Sequence, residues 1–167
     1  MYLPPAPLIS QLKRHEGLHL AAYRCPAGKL TIGYGHNLDA NPVPGLGPES
    51  TINIEQADRL LVTDIITAAD ALLKRSPWAI SLDPVRLAVL VNMAVNMGVG
   101  TLASFHRTLA HIAAAEWPQA SIAMLASRWA GQVGDYSPDS DKGRKHGRPG
   151  RAWELAYQMR NGAWWRG

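Results

Sequence analysis

Glu16, Cys25 and Thr31 are separated by eight and then five residues, and the last of them opens the run Thr31-Ile32-Gly33-Tyr34-Gly35-His36. A carboxylic acid can give up a proton, and a small thiol and a hydroxyl can hold a water by hydrogen bonds. Set on opposite sides of a glycosidic bond, such groups split it: the acid protonates the leaving oxygen while the pair opposite places a water. Each residue also has a plainer reading. Glutamates at helix ends are commonly solvated or paired with arginine, a strand threonine satisfies β propensity, and a lone cysteine is commonly a small buried hydrophobe.

The elements that must position these residues follow from periodicity. Leu8, Ile9 and Leu12 share one face of a short helix, and Gly17 stops it just past the last periodic residue, which leaves Glu16 at a helix end. Ala21 to His36 reads as a hairpin turning at Pro26-Ala27-Gly28, with Cys25 near the turn and Thr31 on the return strand. A Pro/Gly-rich loop covers Asn41 to Pro48, Thr51-Ile52 is a candidate third strand, and Asn53 with Gln56 spells a capping box. The helix that follows, roughly Ile54 to Lys74, lines up Ala57, Leu60, Leu61, Ile65, Ala68 and Leu72. Asp83-Pro84 starts another and Gly98 is expected to end it; apolar nearly all round, Pro84 to Met97 belongs at the centre of a domain. Further helices are expected over about Leu102 to Ala114, Pro118 to Trp129 and Gly150 to Arg160, with a long connection between Gly131 and Pro149 that is either functional or mobile. The fold class is α+β, mainly helical. A hairpin-bearing lobe (about 14–60) and a helical lobe (about 75–167 plus the N-terminal helix) are joined by the long helix.

Composition narrows the classes. A chain of 167 residues can bury a real core, and its single cysteine cannot form an internal disulfide, which fits manufacture in a reducing cytosol. Met1-Tyr2-Leu3-Pro4-Pro5-Ala6-Pro7 has no signal-peptide pattern. Val85 to Val99, interrupted by Arg86, Asn92 and Asn96, is too short to span a bilayer. The formal charge of +4 favours anionic partners such as wall polymers, acidic lipids or nucleic acid.

His15-Glu16-Gly17-Leu18, Ala22-Tyr23-Arg24-Cys25, Leu30-Thr31-Ile32-Gly33-Tyr34-Gly35-His36, Asn92 to Gly98 and Ser127-Arg128-Trp129 together resemble the phage-type lysozymes, the endolysins that cut peptidoglycan. The likeness runs over nearly the whole chain. It implies an α+β lysozyme fold with a substrate cleft between the lobes, and hydrolysis of the β-1,4 bond between N-acetylmuramic acid and N-acetylglucosamine. By this resemblance Glu16 matches the general acid, and Cys25 and Thr31 match the pair that positions the water. Cys25 stands where many relatives have Asp, and a thiol with an ordinary pKa near about 8.5 is mostly neutral at pH 7. The resemblance also sets Asp64 opposite His36, so a His36–Asp64 ion pair is expected, and it brings Arg151 toward the acid. His36, Asn96 and Thr108 are candidates for substrate binding, and Asn92 is expected to be a buried amide. No cofactor is implied, because proton transfer and water activation need only side chains. The expected setting is a monomer made in the host cytoplasm, released through a holin-type pore, and acting on the periplasmic wall to lyse the cell.

Three rival readings stand beside this one, two of them on the same glutamate. His15-Glu16-Gly17-Leu18-His19 spells H-E-x-x-H, the zinc peptidase pattern, but it needs an unbroken helix and a third ligand. A lytic transglycosylase would also use one Glu and leave an anhydro sugar. Lys142, Arg144, Lys145, Arg148 and Arg151, with Trp164-Trp165-Arg166, would suit a nucleic-acid or membrane-surface module. That basic stretch lacks interleaved aromatics, so it is read as a solvated loop that attracts the anionic wall or outer-membrane phosphates, with no nucleic acid expected. Trp78, Trp117, Trp129 and Trp153 fall at helix positions and are read as core.

Overall fold

The computed structural model describes residues 2–166. The chain divides into two compact units, one running to Asp70 and the other starting at Ala71.

The first unit opens with α1 (Ala6–Glu16), whose Leu8 and Leu12 are fully buried; each is worth about 1.5–3 kcal/mol when removed from water. Gly17 ends this helix at φ 73° and ψ 165°, where its N–H still reaches the Lys13 carbonyl at 3.2 Å. Three short strands follow in the order β1 (His19–Arg24), β2 (Leu30–Gly33) and β3 (His36–Asn37), all antiparallel. Tyr23 stands opposite Thr31 and Arg24 opposite Leu30, with an irregularity in register between His19 and Tyr23. The turn closes as expected, with Cys25 N–H to the Lys29 carbonyl at 3.0 Å and Gly28 N–H to the Cys25 carbonyl at 2.7 Å. Gly28 carries the left-handed φ of 76° that such a turn asks for. Leu30, Ile32, Leu38, Ile52 and Ala57 form a hydrophobic core cluster on the sheet's side of the unit. Thr51-Ile52 is not the third strand: Thr51 makes only a single bridge to Ala21, and the third position is taken by His36–Asn37.

The boundary between the units falls inside α2 (Ile54–Arg75). Its start is the expected capping box: Gln56 N–H donates to Asn53 Oδ1 at 2.8 Å, and Asn53 N–H donates to Gln56 Oε1 at 2.9 Å.

A 3₁₀ turn (Pro77–Ser81) in the second unit leads to α3 (Pro84–Ala103), where Asp83 caps the Val85 and Arg86 amides. Gly98, at φ 80° and ψ 150°, breaks α3 as expected, but the chain resumes helical geometry to Ala103 instead of stopping. Residues Leu87 to Ala94 are all buried, so this helix is the centre of its unit. Although its 20 residues and mean hydropathy of 1.5 would suit a membrane span, the break and the burial of half that window mark a core helix. Then come α4 (His106–Ala113), α5 (Trp117–Leu125), α6 (Arg128–Val133), α7 (Asp141–His146) and α8 (Arg151–Asn161). α8 packs on α3, α5 and α6, and α4 packs on α5. The one helix expected over Pro118 to Trp129 is two, because Ser127 accepts from Ala130 N–H and starts α6 afresh. The connection from Gly131 to Pro149 contains α7 and is pinned at both ends. Gly150 N–H bonds the Tyr136 carbonyl at 2.9 Å, and Ala152 N–H bonds the Gly134 carbonyl at 2.8 Å.

Candidate active site

Glu16, Cys25, Thr31 and His36 all belong to the first unit, and three local devices position them. The stop at Gly17 makes Glu16 the last helical residue. Its Oε2 approaches the β2–β3 turn so closely that a methyl carbon on Gly35 would stand 3.7 Å from it. Gly35 itself sits at φ 88°, a backbone that side-chain-bearing residues rarely adopt.

The hairpin turn supplies the second device, bringing Cys25 and Thr31 together. Thr31 is 5% exposed and its Oγ1 donates to the Lys29 carbonyl at 3.0 Å. Hydrogen bonding to the Lys29 backbone lowers the Cys25 pKa; partial desolvation opposes that, while the Ala27 backbone, the Thr31 side chain and the residue's own backbone add to it. Cys25 is half-buried and unbridged. Fewer protons on the sulfur make it a better hydrogen-bond acceptor for a water.

The third device is the expected His36–Asp64 pair. His36 is 5% exposed; its Nδ1 lies 2.9 Å from both carboxylate oxygens of Asp64, and its Nε2 lies 2.9 Å from the Asn41 carbonyl. The Asp64 hydrogen bond raises the His36 pKa, burial opposes the rise, and the Asp64 charge and the Asn41 carbonyl reinforce it. With both ring nitrogens engaged inside the protein, His36 ties β3 to α2.

The zinc peptidase reading fails on geometry. α1 stops at Glu16 and His19 opens β1, so His15 and His19 do not stand one helical turn apart. His19 instead lays its ring 4.4 Å from that of Tyr23.

The remaining candidates lie in the second unit. Asn96 Oδ1 accepts from the Trp129 indole N–H at 2.8 Å. Thr108 is 3% exposed and lines a pocket of about 480 Å³ whose wall includes Phe105 and Trp129. Both candidates are thus organised around Trp129, a residue that helix position alone marked as core. Asn92 is the buried amide expected: it is fully buried, and its Oδ1 accepts from Arg151 Nε at 3.0 Å and Nη2 at 2.7 Å. Arg151 is therefore buried at 8% exposure and does not belong to the surface cluster of Lys142, Arg144, Lys145 and Arg148. Tyr23 stands in one of the runs that carry the family resemblance, but the sequence assigned it no role. The strand register sets it opposite Thr31.

The sequence profile of the phage lysozyme family matches residues 13–140, a stretch holding Glu16, Cys25, Thr31, His36 and Asp64. The chain belongs to that family. Among curated proteins this family member is similar to the pre-baseplate central spike protein Gp5 of Enterobacteria phage T4, at 29% identity over 78% of this chain and 26% of the relative. It is also similar to an endolysin of Acyrthosiphon pisum secondary endosymbiont phage 1, at 46% identity over 32% of this chain and 33% of the relative. A probable T4-type lysozyme 2 of Dictyostelium discoideum is 27% identical over 75% of this chain and 86% of its own length. The chain thus spans about a quarter of the first of these relatives and a third of the second.

Proposed function

We propose that this chain is a lysozyme-type peptidoglycan hydrolase that cleaves the β-1,4 bond between N-acetylmuramic acid and N-acetylglucosamine. The observation that carries the reading is local to the first unit. A half-buried carboxylic acid at the end of α1 closes on the Gly35 turn, and the strand leading into that turn holds Thr31 beside a thiol of lowered pKa. Family membership and the endolysin and lysozyme relatives support it.

In this mechanism Glu16 protonates the leaving glycosidic oxygen, Cys25 and Thr31 hold the water that attacks the anomeric carbon from the opposite face, and the thiolate form of Cys25 takes the proton that this water loses. A water held between acid and acceptor inverts that carbon. His36 acts indirectly, through its hold on Asp64 and Asn41. Asn96 and Thr108 offer polar contacts to sugar N-acetyl and hydroxyl groups. The biological setting proposed is host lysis: synthesis in the cytoplasm, passage through a holin-type pore, and attack on the periplasmic wall as a monomer. Lys142, Arg144, Lys145 and Arg148 add long-range attraction to anionic wall or outer-membrane phosphates.

Digestion of purified peptidoglycan by the wild type and by Glu16→Gln, with product masses read for each, tests this. Reducing ends carrying one added water are expected from the wild type, with none above background from the variant. Anhydro-muramyl products would identify a transglycosylase instead, and a Glu16→Gln protein that releases muropeptides at the normal rate would end the glycosidase reading.

A further inference from the structure

Tyr23 occupies β1 directly opposite Thr31, and residues so paired in an antiparallel sheet project on the same face, about 5 Å apart at Cβ. Its ring is propped by His19. Four residues along a regular strand would separate the two by about 13 Å, yet their ring centroids are 4.4 Å apart. The register irregularity between them is where β1 departs from regular geometry. Among the described residues the Tyr23 hydroxyl makes no hydrogen bond. Burial pushes its pKa up, and the charges on Cys25 and Glu16 push it further in the same direction, so the phenol keeps its proton at any pH near neutral. The titratable groups around it are Glu16 from α1 and His19 and Cys25 from the hairpin; Thr31 opposite carries no charge.

We propose that Tyr23 is a substrate-contacting residue of this site, its hydroxyl donating a hydrogen bond to a sugar oxygen at the point of cleavage. The inference rests on the glycosidase reading: a bond cut between Glu16 and the Cys25/Thr31 pair must pass the face of the sheet on which Tyr23 stands beside Thr31. A neutral donor fits that place better than a cation, since a positive group beside Glu16 would favour its ionised form and hinder the delivery of its proton.

Two measurements decide it. Titration of the Tyr23 ring by NMR reads its location: Glu16→Gln and Cys25→Ser should each bring its pKa back toward the ordinary value near about 10, and an unchanged titration in both would overturn the placement. Calorimetric binding of an N-acetylglucosamine tetramer reads the contact. Tyr23→Phe keeps the ring and its packing, so the melting temperature should hold while Kd weakens about fivefold, the factor that about 1 kcal/mol of hydrogen bond implies. An unchanged Kd would overturn the proposal. Wild-type protein that binds the tetramer with this Tyr23 dependence yet cuts no glycan would sink the hydrolase reading alone.

Discussion

Replacing Asp64 with Asn should expose how much the His36 tie contributes, because it removes the charge while keeping the shape. His36 is 5% exposed and its partner carboxylate 25% exposed, so the pair lies between two limits. Surface pairs contribute up to about 1 kcal/mol, and breaking a fully buried pair costs about 3–5 kcal/mol. A loss of about 2 kcal/mol is therefore expected, equivalent to about 4–8 °C in melting temperature for a chain of this size. The loss must depend on pH in a definite sense. The folded His36 pKa is raised, so the protonated form is favoured by folding. That part of the stability is fully present below the unfolded value near about 6.5 and is lost as pH rises through the folded value. Urea unfolding at intervals between pH 5 and 9 should show the difference between wild type and Asp64→Asn largest at the acid end and smallest at the alkaline end. In the variant the Asp64 charge is gone while burial and the Asn41 carbonyl still act on the ring in opposite senses, so NMR titration should place the His36 pKa below that of the wild type. A stability difference that stayed flat across this range, or a wild-type His36 titrating at or below about 6.5, would refute the reasoning.

The remaining predictions concern the thiol, an orphaned amide and a glycine contact. Because hydrogen bonds from the turn lower the Cys25 pKa, iodoacetamide should modify it with a pH midpoint below about 8.5, the value of an unperturbed cysteine; a midpoint above that would contradict the turn's effect. In the lytic assay Cys25→Ala should slow wall hydrolysis by on the order of tenfold or more and Cys25→Asp should retain it, whereas full activity in Cys25→Ala would strip the thiol of its role. Gln158 is 1% exposed and both of its amide atoms lack a hydrogen-bond partner among the described residues. Gln158→Met should therefore raise stability by about 1–3 kcal/mol in chemical denaturation, and a lowered midpoint would show the amide to be satisfied. A Cβ on Gly150 would stand 2.4 Å from the carbonyl carbon and oxygen of Gly134. Gly150→Ala should consequently lower the melting temperature by several degrees, at about 1–3 kcal/mol for such overpacking.

What the sequence made legible is what neighbouring residues decide among themselves. The Gly17 stop, the turn at Pro26-Ala27-Gly28, the Asn53/Gln56 box and the Asp83 cap each involve groups within a few positions of one another, and each is present. The His36–Asp64 pair spans 28 positions and became visible only through the family resemblance. Where the reading failed, the deciding contact was distant or ambiguous. Gly98 signals a break in the hydrogen-bond ladder, and nothing local says whether the helix restarts beyond it. Ser127 is hidden as a cap because apolar periodicity runs through it on both sides. The connection between Gly131 and Pro149 looks loose because its fastening is the approach of Gly134 to Gly150, sixteen positions away. Tyr23, though within a run that carries the family resemblance, received no role for the same reason. Its significance comes from pairing with Thr31, and an irregular strand conceals the register from any count of alternating residues.

Cys25 ties these threads together. A carboxylate at that position would be charged at neutral pH wherever the chain put it, given its ordinary pKa near about 4. A thiol depends on its surroundings, so its usefulness has to be built by the turn. The backbone hydrogen bonds that lower its pKa come from Lys29 and, more weakly, Ala27, and these are placed by the same Cys25–Lys29 and Gly28–Cys25 hydrogen bonds that close the hairpin. Gly28 permits that closure through its left-handed backbone. Turn geometry and acceptor strength are therefore a single property here, and a substitution that loosens the turn, Gly28 included, weakens the water-holding group without touching it. A chain with Asp at this position would be spared that dependence.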